Sequence, residues 1–451
     1  MLTETVQKIM VQYIQLTASY GQGVMMDLFT QNSLTCSLEP RLRRRYELLL
    51  KDHLNAAPKL AQGVKALSHH ETAWANTQAA WRFFNNDNVT YPQLSAPLLQ
   101  SAHKELAECR SEYGLVAHDW CRNNFLRHRA KTDKAQMSHD KDVGYELFAS
   151  LLLSSENGQP LAPLGVDLTT GKGTYQCRQT EVQEKKPHLE QLVERIDWQE
   201  RQGLTKPLVH LVDREADSAP HLRRLMKVKW LTRAKKGTSV KFQGEFITLE
   251  KLSYRTESDL KKRVNFRGKD AYLFVGEQRV ELQRKSEKLA EAPPEVRLVI
   301  SAVVDEHGKE LAKWYLLSNV MDVSSETLAT WYYWRWSIES WFKVLKSHGF
   351  QLEHWQQESG EAIFRRLIVS SMACVLVFKL YNDNSPGAAE LKMFLVKLSG
   401  RLTKRSKPVT HPALLAGLWV FMQLNEVLNT YSMEEIDVFR DLASTIFGKL
   451  V

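Results

Sequence analysis

The sequence predicts an α/β protein in which a mixed β-sheet domain is flanked by helical regions at both ends of the chain. Residues 1–100 and 386–451 carry helical patterns, including a basic helix that begins at Pro40. From about residue 113 the pattern changes to short apolar and alternating runs, which are typical of strands. Residues 101–385 are therefore predicted to form the sheet domain.

Composition narrows the classes of function. The chain has 451 residues and a formal net charge of +9, which favours an anionic partner. Its five cysteines show no zinc-type spacing and indicate reduced thiols in a cytoplasmic protein. The most apolar run, LIVSSMACVLVF at 367–378, is too short to cross a bilayer, so we predict a buried helix and no membrane partner.

The order of elements in the sheet domain indicates one particular architecture. LVAHD, GYELFASLLLSS and PLAPLGVDLTTGKGTYQC are interpreted as three strands, followed by the helix HLEQLVERIDWQERQG. The segment 208–212 is apolar throughout, which predicts a central strand buried on both faces. A helix, PHLRRLMK, and a strand, KWLTRAK, complete the set. Three strands, a helix, a strand, a helix and a strand are the order of the ribonuclease H-like fold.

Two acidic residues follow strands of this predicted sheet. Asp119 is placed at the end of the first strand and Asp213 at the end of the central one, where open sheets present ligand-binding side chains. Two facing carboxylates would repel, and a divalent metal would remove the conflict. Hard oxygen ligands favour Mg²⁺ or Mn²⁺. The structural alternatives are a helix N-cap for Asp213 and a turn residue for Asp119.

The segment WYYWRWSIESWFKVLK, residues 331–346, is predicted to form a single helix with two different faces. On a helical projection its apolar residues gather on one side, fit to pack on a sheet: Trp331, Trp334, Ile338, Trp341 and Leu345. A narrow polar stripe runs along the other side: Tyr332, Arg335, Glu339 and Lys346. Glu339 would be a third metal ligand, although a solvated face with an Arg335–Glu339 ion pair is the alternative.

These residues carry a resemblance to a known family. The stripe matches the pattern Y-(2)-R-(3)-E-(6)-K, and DREAD at 213–217 is its usual companion. In both motifs the chain resembles the DDE transposases of bacterial insertion sequences in the IS-four family. AAWRFFNNDNV at 79–89, LTRAK at 231–235 and WYLLS at 314–318 extend the resemblance over most of the chain.

The resemblance implies roles for individual side chains. Asp119, Asp213 and Glu339 would be the catalytic triad and hold two Mg²⁺ ions, with Mn²⁺ able to substitute. Tyr332, Arg335 and Lys346 would hold terminal phosphates of the DNA end. Arg233 would contact a backbone phosphate, and Trp314 would stack on a base flipped out of the duplex. His118 and Asp133 are nearby side chains that could be confused with the first acid.

The flanking regions would bind DNA and a second subunit. Arg43, Arg44 and Arg45 are candidate phosphate contacts of an N-terminal DNA-binding domain at 1–100, with a solvated face as the alternative. Residues 236–312 are interpreted as an inserted β subdomain. The resemblance implies that the α-helical C-terminal tail pairs two subunits as a homodimer, although a plain core helix fits the same pattern.

The predicted function is cut-and-paste DNA transposition. Its partners would be double-stranded DNA, namely element-end inverted repeats and target DNA, and the reaction a two-metal phosphoryl transfer through a hairpin intermediate. Two other readings stay open at this point: a ribonuclease H-like nuclease without strand transfer, and a domesticated, non-catalytic DNA-binding protein.

Overall fold

The computed structural model describes residues 38–55, 70–266, 269–346, 349–401 and 409–447. The predicted N-terminal and C-terminal regions extend beyond these residues, so those parts of both predictions lie outside the described residues. The described helices are α1 Pro40–Asn55, α2 His70–Phe84, α3 Tyr91–Glu108, α4 His188–Glu200, α5 Ala219–Arg224, α6 Leu249–Ser253, α7 Ser325–Trp334, α8 Ser337–Leu345, α9 Gly360–Asn382, α10 Ala388–Leu398, α11 His411–Thr430 and α12 Met433–Phe447.

The described strands form one mixed sheet. They are β1 Gly114–Asn124, β2 Ala135–Gln136, β3 Val143–Ser154, β4 Pro160–Thr169, β5 Thr174–Gln176, β6 Leu208–Val212, β7 Lys229–Ala234, β8 Ser239–Phe242, β9 Glu245–Thr248, β10 Asp259–Phe266, β11 Lys269–Glu281, β12 Glu295–Val304 and β13 Glu310–Ser318.

The first half of the sheet has the strand order β4-β3-β1-β6-β7, in which β1 and β6 are neighbours. Strand β3 is antiparallel to β1, whereas β6 is parallel to both β1 and β7. All five residues of β6 are buried, which confirms the predicted central strand. This mixed sheet with covering helices is compatible with a ribonuclease H-like domain.

The strands between 236 and 312 extend the same sheet. Strand β13 pairs antiparallel with β7, and β12, β11 and β8 follow outward from it. The segment interpreted as an inserted subdomain therefore shares its hydrogen-bonded ladder with the main sheet. The physical reason is that β7 would otherwise be an open edge, with unpaired N–H and C=O groups that β13 satisfies.

Two apolar clusters lie against the sheet, because successive strand residues point to opposite faces. Leu231 joins a cluster with α8 and α9, whereas its neighbour Trp230 joins a cluster with α4 and α5. The run 367–378 lies inside α9 and is buried along its whole length, as predicted. None of the helices in the described ranges is long and apolar enough to span a bilayer.

The segment 331–346 differs from the prediction of one continuous helix. α7 ends at Trp334 and α8 starts at Ser337. Arg335 and Trp336 between them keep right-handed helical angles, but their N–H groups bond three residues back, to Tyr332 and Tyr333, which tightens the turn. The predicted apolar face is confirmed, since all of its residues pack in the core or against it.

Candidate active site

Asp213 directly follows the buried strand β6. Its Oδ1 accepts a hydrogen bond of 2.9 Å from the Glu215 N–H and so caps the short 3-10 turn Arg214–Ala216. The Thr232 hydroxyl of β7 donates to the Asp213 main-chain oxygen at 3.1 Å. The N-cap interpretation is therefore correct for one carboxylate oxygen of Asp213. Asp213 lies at the same end of the sheet as Asp119.

Asp119 lies within β1 rather than at its end, which corrects the prediction. Strand β1 continues to Asn124, with Asp119 opposite Ala149 of β3. Pairing with β6, however, covers only Gly114 to Ala117. If this register continues for two more residues, Asp119 lies beside Asp213. Asp119 is therefore located just beyond the end of β6.

Arg335 connects the acids that come from different elements. Its Nη1 donates to Asp119 Oδ2 at 3.0 Å, and its Nη2 lies 3.4 Å from Glu339 Oε1 on α8. The Arg335 side chain is 9% exposed, against 19% for Asp119 and 31% for Glu339. The helical Arg335–Glu339 pair exists, as the alternative interpretation held, but its arginine is buried and shared with Asp119.

The surroundings of Asp119 and Glu339 disfavour the charged form of each carboxylate. Burial raises the pKa of Asp119, Arg335 partly offsets this, and Asp213 adds to the increase. Burial likewise raises the pKa of Glu339, with Arg335 opposing and Asp119 reinforcing. Like charges close together disfavour ionisation. Arg335 and, at Glu339, Lys343 therefore offset burial and mutual repulsion only in part.

The donor set has the chemistry of a site for Mg²⁺ or Mn²⁺, because it consists of hard carboxylate oxygens that lack enough positive charge. In the described part of the chain, no three His, Cys, Asp or Glu side chains are close enough together to hold a metal ion. The Arg335 guanidinium bonds two of the three acids. Metal binding by Asp119 and Glu339 therefore requires Arg335 to leave at least one of them.

Tyr332 and Lys346 are less exposed to an incoming ligand than the predicted polar stripe implied. Tyr332 is 2% exposed, and burial raises its pKa to about 12 against the opposing charges of Arg335 and Arg233. Lys346 Nζ donates to the Arg122 carbonyl at 2.6 Å and pairs with Glu353 at 3.0 Å. The stripe is thus partly used in binding the helix to β1.

Trp314 lies in an aromatic cluster. It is 8% exposed and packs near Phe266, Tyr332 and Tyr333, with ring centroids 5.9 to 6.5 Å away. Arg233 is half-buried on β7 and acts on Tyr332 through its charge. The structure therefore places Trp314 and Arg233 around the phenol of Tyr332.

The remaining candidates lie in other surroundings. Arg43 forms an i,i+4 pair with Glu47 at 3.4 Å, and its helix α1, which also carries Arg44 and Arg45, packs against α9 and α11. His118 is buried and bonded to His210 and Ser150. Asp133 accepts from Tyr145 and from the Gly360 N–H. His118 and Asp133 thus have structural partners that Asp119 lacks.

His188 is a site neighbour that sequence reasoning missed. It lies between Glu146 and Glu215, at 2.9 and 3.1 Å, and stacks on Trp120 with ring centroids 4.6 Å apart. Hydrogen bonding to Glu146 raises its pKa to about 9. The contact secures the turn that begins at Asp213. Its partners come from three separate segments, so no sequence motif could show it.

Comparison with protein families gives a consistent result. Residues 164–376 match the family described as "Transposase DDE domain". The matched region includes Asp213 and Glu339 and begins after Asp119. Comparison with curated proteins gives no match.

The match supports a transposase, an enzyme of the nuclease and transferase kind. More narrowly, it supports assignment to a DDE transposase family, whose domains act on DNA and generally use divalent metals.

Proposed function

We propose that this protein is a cut-and-paste DNA transposase of the IS-four family, similar to the transposon-five enzyme. It binds the inverted repeats at the element's ends, cleaves there by phosphoryl transfer and joins the element to target DNA. The observation that carries the proposal is that the buried guanidinium of Arg335 binds both Asp119 of β1 and Glu339 of α8, while the charge of Asp213, after β6, raises the pKa of Asp119.

The three acids would hold two Mg²⁺ ions, with Mn²⁺ able to substitute. Bound there, the ions would supply a nucleophile activated at neutral pH and charge stabilisation at the leaving oxygen. The protein's own contribution is positional. Strands β1 and β6 and helix α8 present the carboxylates from a packed sheet, and the turn held by His188 orients Asp213.

Arg335 has two competing kinds of partner in this proposal. Guanidinium groups bind phosphate in the same bidentate manner as carboxylate. A phosphate of the DNA end can therefore draw Arg335 away from Asp119, which frees that acid for a metal. Lys346 and Arg233 would add charge around the same phosphates, and Arg43, Arg44 and Arg45 would contact DNA further out.

The finer steps follow the same family. A nick at the element's end is followed by attack of the freed 3′-hydroxyl on the opposite strand, opening of the resulting hairpin by water, and joining to target. Trp314 would receive a flipped base at the hairpin stage. Since Trp314 is nearly buried, this role requires Tyr333 or Phe266 to shift away from its ring.

The C-terminal helix supports a homodimer. Helix α12 exposes a row of large apolar side chains at helical spacing: Val438, Phe439, Leu442 and Ile446 are all more than half exposed. A contiguous exposed apolar helix face marks an interaction surface. Pairing of two tails through this face would bring two DNA ends together.

A simple nuclease and a non-catalytic DNA-binding protein are the other two candidates. A nuclease without strand transfer needs the acids but has no use for the Tyr332, Arg335 and Lys346 group. A protein that only binds DNA has no need to keep three acids under mutual repulsion.

The decisive experiment replaces Asp213 with Asn and Glu339 with Gln. The amides keep the shape of the side chains but lose the charge that holds a metal, so each variant should lose cleavage while binding DNA as well as the wild type. The substrate is a labelled duplex carrying the inverted repeat that flanks the coding frame, incubated with Mg²⁺. Glu306→Gln, in the exposed turn after β12, is the matched control. Cleavage by either site variant at near the wild-type rate would sink the assignment.

A further inference from the structure

An open cleft with two cationic side chains lies beside the turn that begins at Asp213. Its volume is about 500 Å³, and three segments line it. Asp217 ends the DREAD motif and Ala219 begins α5, whereas Arg284, Lys285 and Ser286 come from the connection between β11 and β12. The third segment, Gly237 to Ser239, leads into β8. None of these residues is one of the three candidate catalytic acids, and none lies in α7 or α8.

Both walls of the cleft are held by polar contacts. Asp217 accepts hydrogen bonds from the Lys235 N–H at 2.8 Å and the Thr238 hydroxyl at 2.7 Å, and its other oxygen lies 3.7 Å from Lys235 Nζ. Its charge is therefore neutralised within the wall. On the opposite side, Glu287 accepts from Arg223 at 3.0 Å and from the Arg284 N–H at 3.1 Å.

The cleft carries two exposed cations, Arg284 and Lys285, and the charge of Glu287 offsets that of Arg284 only in part. Arg284 and Lys285 are exposed, and within the described ranges no carboxylate lies within 4.0 Å of either side chain. Nearby cations are paired: Lys236 with Glu250, Lys241 with Glu281 and Arg255 with Glu245. Two unpaired cations beside serine hydroxyls form a site for an anion.

We propose that this cleft binds a backbone phosphodiester of the DNA strand on which the active site acts. The inference rests on the proposed function and adds to it a contact outside the recognised motifs. Asp217 is four residues beyond Asp213, mostly along a 3-10 turn with a rise of about 2 Å per residue, so the cleft begins about 8 Å from the acid. Each strand carries one phosphate for about every 3.4 Å of helix axis, so the cleft lies within a few phosphates of the acid.

The first test removes the two cations. Wild type, the double variant Arg284→Gln/Lys285→Gln and the control Lys288→Gln are compared by fluorescence anisotropy on a labelled duplex of arbitrary sequence across a range of NaCl concentrations. Each lost phosphate contact reduces the slope of log affinity against log salt by about 0.9. The double variant should therefore flatten the slope by up to about 1.8, whereas Lys288, on the same connection but outside the cleft, should leave it unchanged.

The second test adds an opposing charge. A side chain at Gly237 would meet no atom within 4 Å of its Cβ, and the residue does not have a positive φ, so substitution there does not strain the fold. Gly237→Glu places a carboxylate in the cleft, and Gly237→Gln has the same size without the charge. The glutamate variant should bind the duplex at least tenfold more weakly than the glutamine variant at low salt.

The two tests together decide the inference. A flattened slope in the double variant, together with weaker binding by Gly237→Glu than by Gly237→Gln, supports the cleft. Equal slopes for the double variant and Lys288→Gln, or equal binding by the two Gly237 variants, overturns it and leaves the proposed transposase intact. A wild-type chain that does not bind the duplex overturns both.

Discussion

Two clusters of acids and arginines lie on opposite faces of the same sheet, one residue apart in register. Asp119 stands in a row with Ala149 and Val166, and the next row holds Trp120, Phe148 and Asp167. Because neighbouring rows face opposite ways, Asp119 points toward Arg335, whereas Asp167 points toward α4.

The cluster around Asp167 is fully compensated. Arg178 lies 2.9 Å from its Oδ2 and Arg195 lies 2.5 Å from its Oδ1, and all three side chains are buried. Although burial opposes ionisation, the two arginines lower the pKa of Asp167. Two buried arginines neutralise Asp167, and Glu194 lies 4.0 Å from Arg178, so this cluster has no need of an external ion.

The cluster around Asp119 has the opposite balance, with three acids and one arginine, and the pKa values of Asp119 and Glu339 are raised. An ion cluster whose charges are neutralised stabilises the fold, whereas a cluster with excess negative charge retains affinity for a cation. The comparison therefore distinguishes an ion cluster that stabilises the fold from a candidate functional site on the same strands. Mutations in each cluster test this distinction.

The largest expected effect on stability is at Asp167. Asp167→Asn leaves two buried arginines without their anion, and breaking a buried pair in this way costs about 3 to 5 kcal/mol. Urea unfolding followed by circular dichroism measures the loss, with Asp197→Asn on the exposed side of α4 as the control. A loss below about 1 kcal/mol would show that the arginines have other adequate partners.

A second prediction concerns Arg335. In Arg335→Gln the three acids lose their shared cation, so Mn²⁺ should bind the DNA-free protein about tenfold more tightly, equivalent to about 1.4 kcal/mol. Isothermal titration calorimetry measures the affinity, and Arg122→Gln, an exposed arginine on the same strand as Asp119, is the control. Unchanged Mn²⁺ affinity would mean that Arg335 does not compete with the metal.

The smallest effect is on stability at Glu339, and its sign distinguishes the two clusters. Because the folded-state pKa of Glu339 is raised, its charge destabilises the fold above that pKa, and the destabilisation disappears below the unfolded value of about 4.3. Glu339→Gln should therefore be more stable than wild type by about 0.5 kcal/mol at pH 7, and the difference should vanish near pH 4.

Asp167 has the opposite linkage. Its lowered pKa contributes stability that is present above the unfolded carboxyl pKa and is lost as pH falls through the folded value. Thermal melts of wild type, Glu339→Gln and Asp167→Asn between pH 2 and pH 8 measure both signs, with the Asp167 contribution lost below about pH 4. Stability lost on replacing Glu339 at pH 7 would place this acid among the structural ion pairs.

Some features were predictable because they depend on neighbouring residues alone. Strand β6 is a short apolar run bounded by turn residues. A central position in the sheet buries its side chains on both faces, which is favourable because they are apolar. The apolar stripe of α7 and α8 follows from helical periodicity, which survives the tightened turn at Arg335.

Other features could not be predicted because they depend on register between distant segments. Asp119 was placed at a strand end, since the sequence after it does not show that β1 continues along β3 to Asn124. The base-stacking role of Trp314 is implied by the family resemblance, whereas its burial depends on Phe266 and Tyr333 from other elements.

The sequence by itself determined which residues carry charge and which elements hold them, because periodicity and turn chemistry act over a few residues. Only the tertiary structure decided how those charges are balanced. Arg335 meets Asp119 across 216 positions of chain, and Arg195 meets Asp167 on the other face. Such pairs form because packing of the sheet and its helices fixes which side chains share a buried space, and desolvation there makes each unmatched charge costly.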